Sequence, residues 1–297
     1  MIKVHDWWKE FAQSHENLKH SIAGAGAGIV SSIVTCPLDV AKTRLQNQGV
    51  VLPGEKMYKG TVGTLSRIWC EEGIRGLYRG LSPTILGYLP TWAIYFTAYD
   101  YYSEKGWLLH IVSAMSAGAL STSLTNPLWV IKTRFMTQNE RTAYRYHNTL
   151  HAFATIAREE GFRGFYKGLG SSLIGISHVA VQFPLYEKLK IAFHVEQKHS
   201  SSSSGSTSIL LASSLSKMAA SLATYPHEVI RTRLQNQTRR PYKYQGILHA
   251  IKVISKEEGL CGFYKGLSTN LVRTVPSSAL TILTYELIVR KLNDLKH

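Results

Sequence analysis

The sequence predicts an all-α membrane protein in which three tandem repeats supply six transmembrane helices, and three observations lead to this prediction. Charged residues make up 18% of the 297 residues, below the roughly 25% of an ordinary soluble domain. Stretches of nearly spanning length carry no charge: 22–38, 82–99, 108–131 and 168–186. Two sequence blocks each occur three times. Because no run of about 20 apolar residues is unbroken, composition alone fits the buried helices of a soluble protein equally well.

The two repeated blocks define the domain organisation. The first places basic residues at fixed distances after a proline, and its copies are Pro37–Arg44, Pro127–Arg134 and Pro226–Arg233. The second joins Glu-Gly to an aromatic residue, a basic residue and glycine, and its copies are Glu72–Gly80, Glu160–Gly168 and Glu258–Gly266. Blocks that recur together indicate copies of one structural unit. We therefore assign one domain over residues 1–297, with repeats at 18–105, 106–198 and 206–292.

In chain order, each repeat is predicted to form a spanning helix, a short surface helix and a second spanning helix. The first helix is expected to kink at its proline and continue, because mostly good helix formers follow in Val40–Gln46. The amphipathic segment 66–72 and its counterparts are expected to lie along a membrane surface. The second spanning helix follows Gly80. A serine run at 200–204 is expected to form a flexible loop between the second and third repeats.

Charge, cysteine content and motifs exclude several classes of protein. Lys and Arg (34) outnumber Asp and Glu (19), and the formal net charge of +15 favours anionic partners. The three cysteines form no C-x-x-C pair, so neither a metal site nor a disulfide framework is expected. Neither a phosphate-binding loop, a dinucleotide fingerprint nor a nucleophile–base set occurs, so we expect no enzyme and no cofactor. The polar N-terminus is unlike a secretory signal. A basic nucleic-acid-binding protein remains a remote alternative, and a proton-leak channel a third class.

The first block reads Pro-x-Asp/Glu-x-x-Lys/Arg-x-Lys/Arg and the second Glu-Gly-x4-aromatic-Lys/Arg-Gly, and together they resemble the mitochondrial carrier family over about residues 18–292. The resemblance implies a six-helix barrel with threefold pseudosymmetry around a central substrate path, with the short surface helices on the matrix side. It implies a monomeric, multi-pass exchanger of the mitochondrial inner membrane, with both termini facing the intermembrane space and no nucleic acid as partner.

The resemblance also implies that cardiolipin binds between repeats. Helix N-termini bind phosphate through their free backbone N–H groups, and one triplet in each repeat would begin the second spanning helix. These expected lipid residues are Tyr78, Arg79, Gly80, Tyr166, Lys167, Gly168, Tyr264, Lys265 and Gly266.

Charged residues just after the prolines are expected, by the same resemblance, to pair between repeats and close the matrix side of the path. Asp39 would pair with Lys132, and Glu228 with Lys42. A purely local pair of Asp39 with Lys42, one helical turn apart, is the alternative. We disfavour it because the charged pattern recurs at the same distance from each proline.

The second repeat departs from the family pattern in this predicted matrix gate. Trp129 occupies the third acidic place, so Arg231 lacks a carboxylate. A cation–π contact between Arg231 and Trp129, of about 0.5–2 kcal/mol, is the expected substitute. Gln46 and Gln235 match the family's bracing glutamine, whereas Met136 stands at the equivalent place in the second repeat. The predicted gate therefore holds two ion pairs instead of three.

The cytoplasmic gate is expected on the second helix of each repeat, where the family pattern is an aromatic residue followed by Asp/Glu-x-x-Lys/Arg. Glu187 and Lys190 fit this pattern. Asp100 and Glu286 lack a basic residue at the expected place, although Arg290 follows Glu286 one place late. We therefore expect a cytoplasmic gate with few ion pairs.

Residues that break the threefold repeat are the candidates for binding an asymmetric solute. Arg273 stands where the other two repeats have Gly87 and Gly175, and Lys217 stands where they have glycine as well. Neither cation has an acidic residue within one helical turn, and an unpaired buried cation favours an anionic ligand. The alternative for Lys217 is a side chain that reaches the membrane surface.

Four further residues are predicted to bind a nucleotide. Gly175–Ile176 matches a pair that nucleotide carriers of the family often have, and Trp92 could stack on a base. His178 stands where the other repeats have proline. Structural roles are the alternatives: a packing or interfacial position for Trp92 and a packed polar group for His178.

The motifs around Trp92, Trp129 and the segment Tyr225–Arg233 resemble a subgroup that carries NAD, pyrimidine nucleotides, or flavin and folate. Within it the segments Tyr88–Phe96 and Tyr225–Arg233 are most similar to the NAD carriers. The resemblance implies exchange of NAD+ for a nucleotide such as AMP or ADP. A pyrimidine nucleotide, FAD or folate is the alternative substrate.

Overall fold

A computed structural model describes residues 2–49, 57–102, 107–138, 146–192, 203–238 and 242–294. These residues form helices joined by turns and short loops, without a β-strand in the described ranges. Each repeat begins with a long helix that contains the proline of the first block. These helices are α1 (Ile2–Asn47), α4 (Trp107–Thr137) and α8 (Ser203–Asn236). Each helix continues through its proline, as predicted.

A short helix and a second long helix complete each repeat. The short helices are α2 (Gly60–Leu77), α5 (Thr149–Glu159) and α9 (Ile247–Glu258), and the last two are followed by 3₁₀ turns at Phe162–Tyr166 and Leu260–Tyr264. The second long helices are α3 (Leu81–Tyr102), the pair α6 (Leu169–Gly175) and α7 (Ser177–Ala192), and α10 (Leu267–Asp294). The same order of elements therefore occurs three times, as the repeated blocks predict.

The second repeat differs in having two helices where the sequence predicts one spanning segment. The interruption lies at Ile176, whose N–H bonds to the carbonyl of Leu173, three residues back. Gly175, which precedes it, faces the ring of His227 so closely that a Cβ there would lie 2.4 Å from Nε2. A tighter local turn beside a bulky neighbour accounts for the break in the α-helical hydrogen-bond pattern.

The long helices form a closed ring. Along the chain α1 packs on α3, and α3 packs on α4. Helix α4 packs on α6 and α7, which in turn pack on α8. Helix α8 packs on α10, and α10 closes the ring by packing extensively on α1. The three helices α1, α4 and α8, which contain the first-block prolines, also contact one another. The ring is therefore narrow at the level where α1, α4 and α8 meet.

Buried apolar clusters lie where a short helix packs on a proline-containing helix, one in each repeat. In the third repeat Ile230, Tyr244, Ile254 and Phe263 form this cluster, and Ile131, Tyr146, Ile156 and Phe165 form its counterpart in the second. The first repeat has a smaller cluster around Val40 and Ile68. The core thus lies at the end of the ring where Pro37, Pro127 and Pro226 stand, which we call the proline end. It fixes the positions of the residues just after each of these prolines.

One arginine in each repeat joins its own short helix to the next repeat. Arg134 Nη2 donates to Glu160 Oε2 at 2.9 Å, and Arg134 Nε donates to the carbonyl of Gln235 at 3.0 Å. Arg44 and Arg233 make the equivalent contacts, with Glu72 and Glu258 respectively and with carbonyls at the ends of α4 and α1. Each arginine thus forms a pair with a carboxylate. Through its Nε it also donates to a carbonyl group that a helix end leaves without a partner.

Within the described residues, the segment Ala23–Asn47 of α1 is long and apolar enough to cross a membrane by length and composition alone. Half of that segment is buried inside the protein.

Candidate functional site

A cavity of about 400 Å³ lies inside the ring, beside the place where the three proline-containing helices meet. Residues from α1, α3, α4, α6, α8 and α10 line it. Its charged side chains are four cations and two carboxylates: Lys42, Lys132, Arg231, Arg273, Asp39 and Glu228. The excess of positive charge suits an anionic ligand.

The expected pairing between the first and third repeats is present. Lys42 Nζ lies 2.6 Å from Glu228 Oε2 and also donates to Asn270 Oδ1 at 2.9 Å. Gln46 Nε2 donates to the same carboxylate oxygen of Glu228 at 3.2 Å and to the Tyr225 hydroxyl at 3.0 Å. Each polar group at this interface therefore has a partner, and Gln46 braces the ion pair.

No direct ion pair joins Asp39 to Lys132 among the described residues, and their expected pairing stays a prediction. Asp39 instead forms an ion pair with Arg273, whose Nη1 lies 3.0 Å from Asp39 Oδ1. Sequence reasoning expected Arg273 to have no carboxylate partner, whereas the structure gives it Asp39. That reasoning considered only neighbours along one helix, whereas the extensive packing of α10 on α1 brings the two residues together. The Nε of Arg273 is buried and has no partner among the described residues.

Among the described residues the cation that contacts the Trp129 ring is Lys132, and the expected contact of Arg231 with that ring stays a prediction. Lys132 Nζ lies 5.0 Å from the centre of the Trp129 ring. The two residues are one turn apart on α4, so the contact is a local one. The indole Nε1 of Trp129 donates to Thr125 Oγ1 at 3.0 Å.

Two residues of the cavity wall, Tyr88 and His227, were missed by the sequence analysis. Tyr88 packs on Gly28, receives a hydrogen bond from Ser32 at 2.8 Å and meets Trp129 edge to face at 6.2 Å between ring centres. Arg273 was selected because it differs from the residues at the equivalent place in the other two repeats. The same comparison one residue further along each repeat would have found Tyr88, since the equivalent residues there are Ile176 and Thr274.

The other predicted binding residues lie around the cavity. Gly175 packs against His227, which lines the cavity, and Ile176 packs near Gly118. His178 and Lys217 are half-buried and do not belong to the cavity wall. Lys217 forms no hydrogen bond or ion pair with the residues that the structure describes.

Little of the predicted cytoplasmic gate and stacking site can be described. The side chains of Trp92, Asp100 and Lys190 lie outside the described part of the structure. Glu187 is exposed. Glu286 lies 3.9 Å from Arg290 along the same exposed helix face, which is a contact within one helix rather than between two.

The predicted lipid triplets lie directly before α3, α6 and α10. Gly80, Gly168 and Gly266 adopt positive φ angles of 86°, 77° and 83°, which turn the chain into these helices. The basic residues beside them face inward. They are Arg79, Lys167 and Lys265, which pair with Glu72, Glu160 and Glu258 respectively.

Three helical repeats around one positively charged cavity form the architecture of a solute carrier. The family model described as "Mitochondrial carrier protein" matches residues 13–105, 103–197 and 202–296. The chain therefore belongs to the mitochondrial carrier family.

Relatives with transport names cover most of the chain. Mitochondrial nicotinamide adenine dinucleotide transporter 1 of Saccharomyces cerevisiae is 44% identical over 288 residues, which is 93% of this chain and 77% of the relative. Nicotinamide adenine dinucleotide transporter 1, chloroplastic, of Arabidopsis thaliana is 44% identical over 287 residues, covering 92% of this chain and 91% of the relative. Solute carrier family 25 member 33 of Homo sapiens is 37% identical over 316 residues, covering 95% and 97% respectively.

Proposed function

We propose that this protein exchanges NAD+ for another nucleotide, such as AMP or ADP, across the mitochondrial inner membrane. The observation that carries the proposal is the 44% identity, over more than nine-tenths of the chain, to relatives named as NAD transporters. The positively charged cavity supports it, because NAD+, AMP and ADP all carry phosphate groups. A pyrimidine nucleotide, FAD or folate carrier is the alternative substrate assignment.

The long helices are proposed to span the membrane six times, with α6 and α7 together forming one span. Exposed apolar side chains recur at equivalent places around the proline end of the ring. On the short helices they are Val62, Leu150 and Leu248. In the second sequence block of each repeat they are Ile74, Phe162 and Leu260, each directly after the glycine of Glu-Gly. Exposed apolar groups at three symmetric places suit a lipid surface better than water.

Transport is proposed to proceed by alternating access, with the proline end as the matrix gate. The pairs Lys42–Glu228 and Asp39–Arg273 join different repeats at that end and narrow it. The proposed cytoplasmic gate comprises Asp100, Glu187, Lys190 and Glu286, of which Glu286 makes only a contact within its helix. The described conformation is therefore assigned as closed to the matrix.

Within the cavity, Arg273 is proposed as the principal phosphate-binding residue and Tyr88 with Trp129 as the aromatic surface for a base. A guanidinium group binds phosphate with two parallel hydrogen bonds. Asp39 pairs with that group, so a phosphate ligand and Asp39 would compete for Arg273. Gly175, Ile176, Trp92, His178 and Lys217 remain proposed contributors, and Lys217 is the further cation beyond the described cavity wall.

Cardiolipin is proposed to bind at the N-termini of α3, α6 and α10. The glycines before these helices keep the backbone N–H groups open to a phosphate. Because Arg79, Lys167 and Lys265 pair with carboxylates, the backbone rather than these side chains is assigned the main contact. The protein is proposed to act as a monomer, without a cofactor or nucleic acid.

Reconstituted liposomes test the substrate assignment. Purified protein in liposomes loaded with AMP should take up labelled NAD+ faster than labelled CTP, FAD or folate. Arg273→Gln should lose at least about tenfold of that uptake because it removes the phosphate-binding charge. Arg75→Gln, which makes the same charge change at an exposed place on α2, should retain it. Uptake of CTP or FAD without NAD+ would transfer the assignment to the alternative substrates.

A further inference from the structure

The interface between the first and third repeats shows what a complete gate contact looks like in this protein. A cation, Lys42, and the amide N–H of Gln46 both donate to one carboxylate, Glu228, at 2.6 and 3.2 Å. The side-chain oxygen of Gln46 accepts from Thr232 Oγ1 at 2.9 Å. Cation, amide donor and acid thus form one unit between α1 and α8.

The equivalent interface between the second and third repeats has the cation and the amide but no acid. Arg231 corresponds to Lys42, Gln235 to Gln46, and Trp129 to Glu228, because each pair stands at the same distance after its proline. Gln235 is 1% exposed, and its oxygen accepts from Thr133 Oγ1 at 2.8 Å, as its counterpart does. Its Nε2 is buried without a partner among the described residues.

The cation of this incomplete interface has no direct contact with a carboxylate among the described residues. Arg231 lines the cavity and makes neither a hydrogen bond nor an ion pair with any residue that the structure describes. Trp129 cannot satisfy either group, because its single polar atom donates to Thr125. Lys132 lines the same cavity and lies over the Trp129 ring, and Asp39 forms its ion pair with Arg273.

We propose that a phosphate group binds in the gate between the second and third repeats, where it replaces the missing carboxylate. Arg231 and the Nε2 of Gln235 donate hydrogen bonds to it, and Lys132 supplies a second positive charge. A phosphate oxygen accepts from both donors as Glu228 does at the complete interface. The bound phosphate thereby completes the gate contact that the sequence leaves open.

The phosphate group can belong to the transported nucleotide, in which case the inference rests on the function proposed above, or to free inorganic phosphate. In the first case the substrate itself joins two repeats, so substrate binding adds one contact to the gate. In the second case a small ion holds the gate closed without being the principal substrate. The chemistry recognised by Arg231, Gln235 and Lys132 is the same in both.

Calorimetric titration of the purified full-length protein distinguishes these sources, using inorganic phosphate, AMP and uncharged adenosine as probes. Both phosphate compounds are expected to bind and adenosine is not. Binding of inorganic phosphate that AMP does not displace would assign the gate to the free ion. A nucleotide that binds more tightly than phosphate, and competes with it, would assign the gate to the substrate.

Two variants test the gate residues themselves. Gln235→Met removes the unpaired donor without changing charge and copies the natural Met136. Trp129→Glu supplies the missing carboxylate. Each is expected to weaken phosphate binding by about tenfold, and phosphate should no longer raise the unfolding midpoint of Trp129→Glu. The matched controls are Gln245→Met and Trp69→Glu, which make the same two substitutions at exposed places outside the cavity wall.

The inference is overturned if Gln235→Met and Trp129→Glu bind phosphate as tightly as their controls do. Transport separates this failure from failure of the proposed function. If the protein takes up NAD+ in liposomes and both variants bind phosphate unaltered, only the proposed gate site is contradicted. Phosphate binding that both variants lose, in a protein that takes up no NAD+, would contradict only the substrate assignment.

Discussion

A single carboxylate, Glu258, illustrates how one residue can hold two repeats together. Its side chain is 4% exposed and accepts from Arg233 and Lys265, which also reach carbonyls at the end of α1. Burial by itself would raise the pKa of Glu258, but the hydrogen bonds from Arg233 and Lys265 lower it below the usual value of 4.5. Its ionised form is therefore stabilised by folding.

The lowered pKa of Glu258 predicts how stability depends on pH. A lowered folded-state pKa gives a contribution that is fully present above the unfolded value of 4.5 and is lost as the pH falls through the folded value. Glu258→Gln should therefore lower the free energy of unfolding by about 3 kcal/mol near pH 7. The variant should also lose less further stability than the wild type below pH 4.5. Thermal unfolding in detergent between pH 3 and 7 measures both effects.

The adjacent residue Glu257 provides the control for that measurement. It pairs with Lys243 at 2.6 Å, but both side chains are more than a third exposed. Exposed pairs contribute about 0–1 kcal/mol, so Glu257→Gln should leave both the midpoint and its pH dependence nearly unchanged. Equal effects of the two variants would show that burial of the Glu258–Arg233 pair does not determine its contribution to the free energy of unfolding.

The gate residues show where sequence reasoning succeeds and where it stops. The contact between Lys42 and Glu228 was predictable from the resemblance to the carrier family, because both residues occupy charged positions of the motif that recurs after each proline. The contact between Asp39 and Arg273 was not, since it joins a gate residue to one that breaks the symmetry. Which of two cations an acid selects depends on the packing of α10 on α1, and a repeat pattern carries no such distance.

At the scale of elements, the turn that leads into each second long helix depends on a glycine. Gly168 has a φ of 77°, and a Cβ there would lie 2.9 Å from Gln235 Cγ and 3.2 Å from the carbonyl of Arg231. Both the backbone conformation and the contact with α8 disfavour a side chain. Gly168→Ala should therefore lower the free energy of unfolding by roughly 2 kcal/mol, measured as a lower thermal midpoint in detergent.

Gly63 supplies the comparison, because it is exposed on α2 and a Cβ there would meet nothing closer than Lys59 Cβ at 3.8 Å. Gly63→Ala should raise the free energy of unfolding by about 0.5 kcal/mol, since alanine favours a helix. A Gly168→Ala variant that is as stable as Gly63→Ala would mean that the turn can adopt another conformation.

The elements themselves were more predictable than their interruptions. Helix continuation through Pro37, Pro127 and Pro226 followed from the helix-forming residues after each proline. The break at Ile176 did not, because glycine alone does not decide it: Gly175 stands directly before the break, but Gly87 at the equivalent place lies inside the continuous helix α3. The break coincides with the side chain of His227, a contact between helices that local sequence cannot reveal.

At the scale of the whole molecule, the three repeat interfaces differ although the repeats are similar. The first and third repeats are joined by Lys42 and Glu228 with full hydrogen bonding. The other two interfaces have Met136 in place of a glutamine and Trp129 in place of an acid. The ring therefore has one strong gate contact and two weaker ones, and we expect the strong contact to dominate the energy of opening.

Exchange of charges across the strong interface tests this expectation. Lys42→Glu and Glu228→Lys should each reduce exchange in liposomes and lower the unfolding midpoint, because each places like charges side by side. The double variant restores an ion pair and should recover about tenfold of the lost exchange. The double variant Asp39→Lys with Lys132→Glu should recover little, since Asp39 pairs with Arg273 instead. Equal recovery in both double variants would mean that Asp39 and Lys132 pair during transport and that the gate is more symmetric than the described conformation.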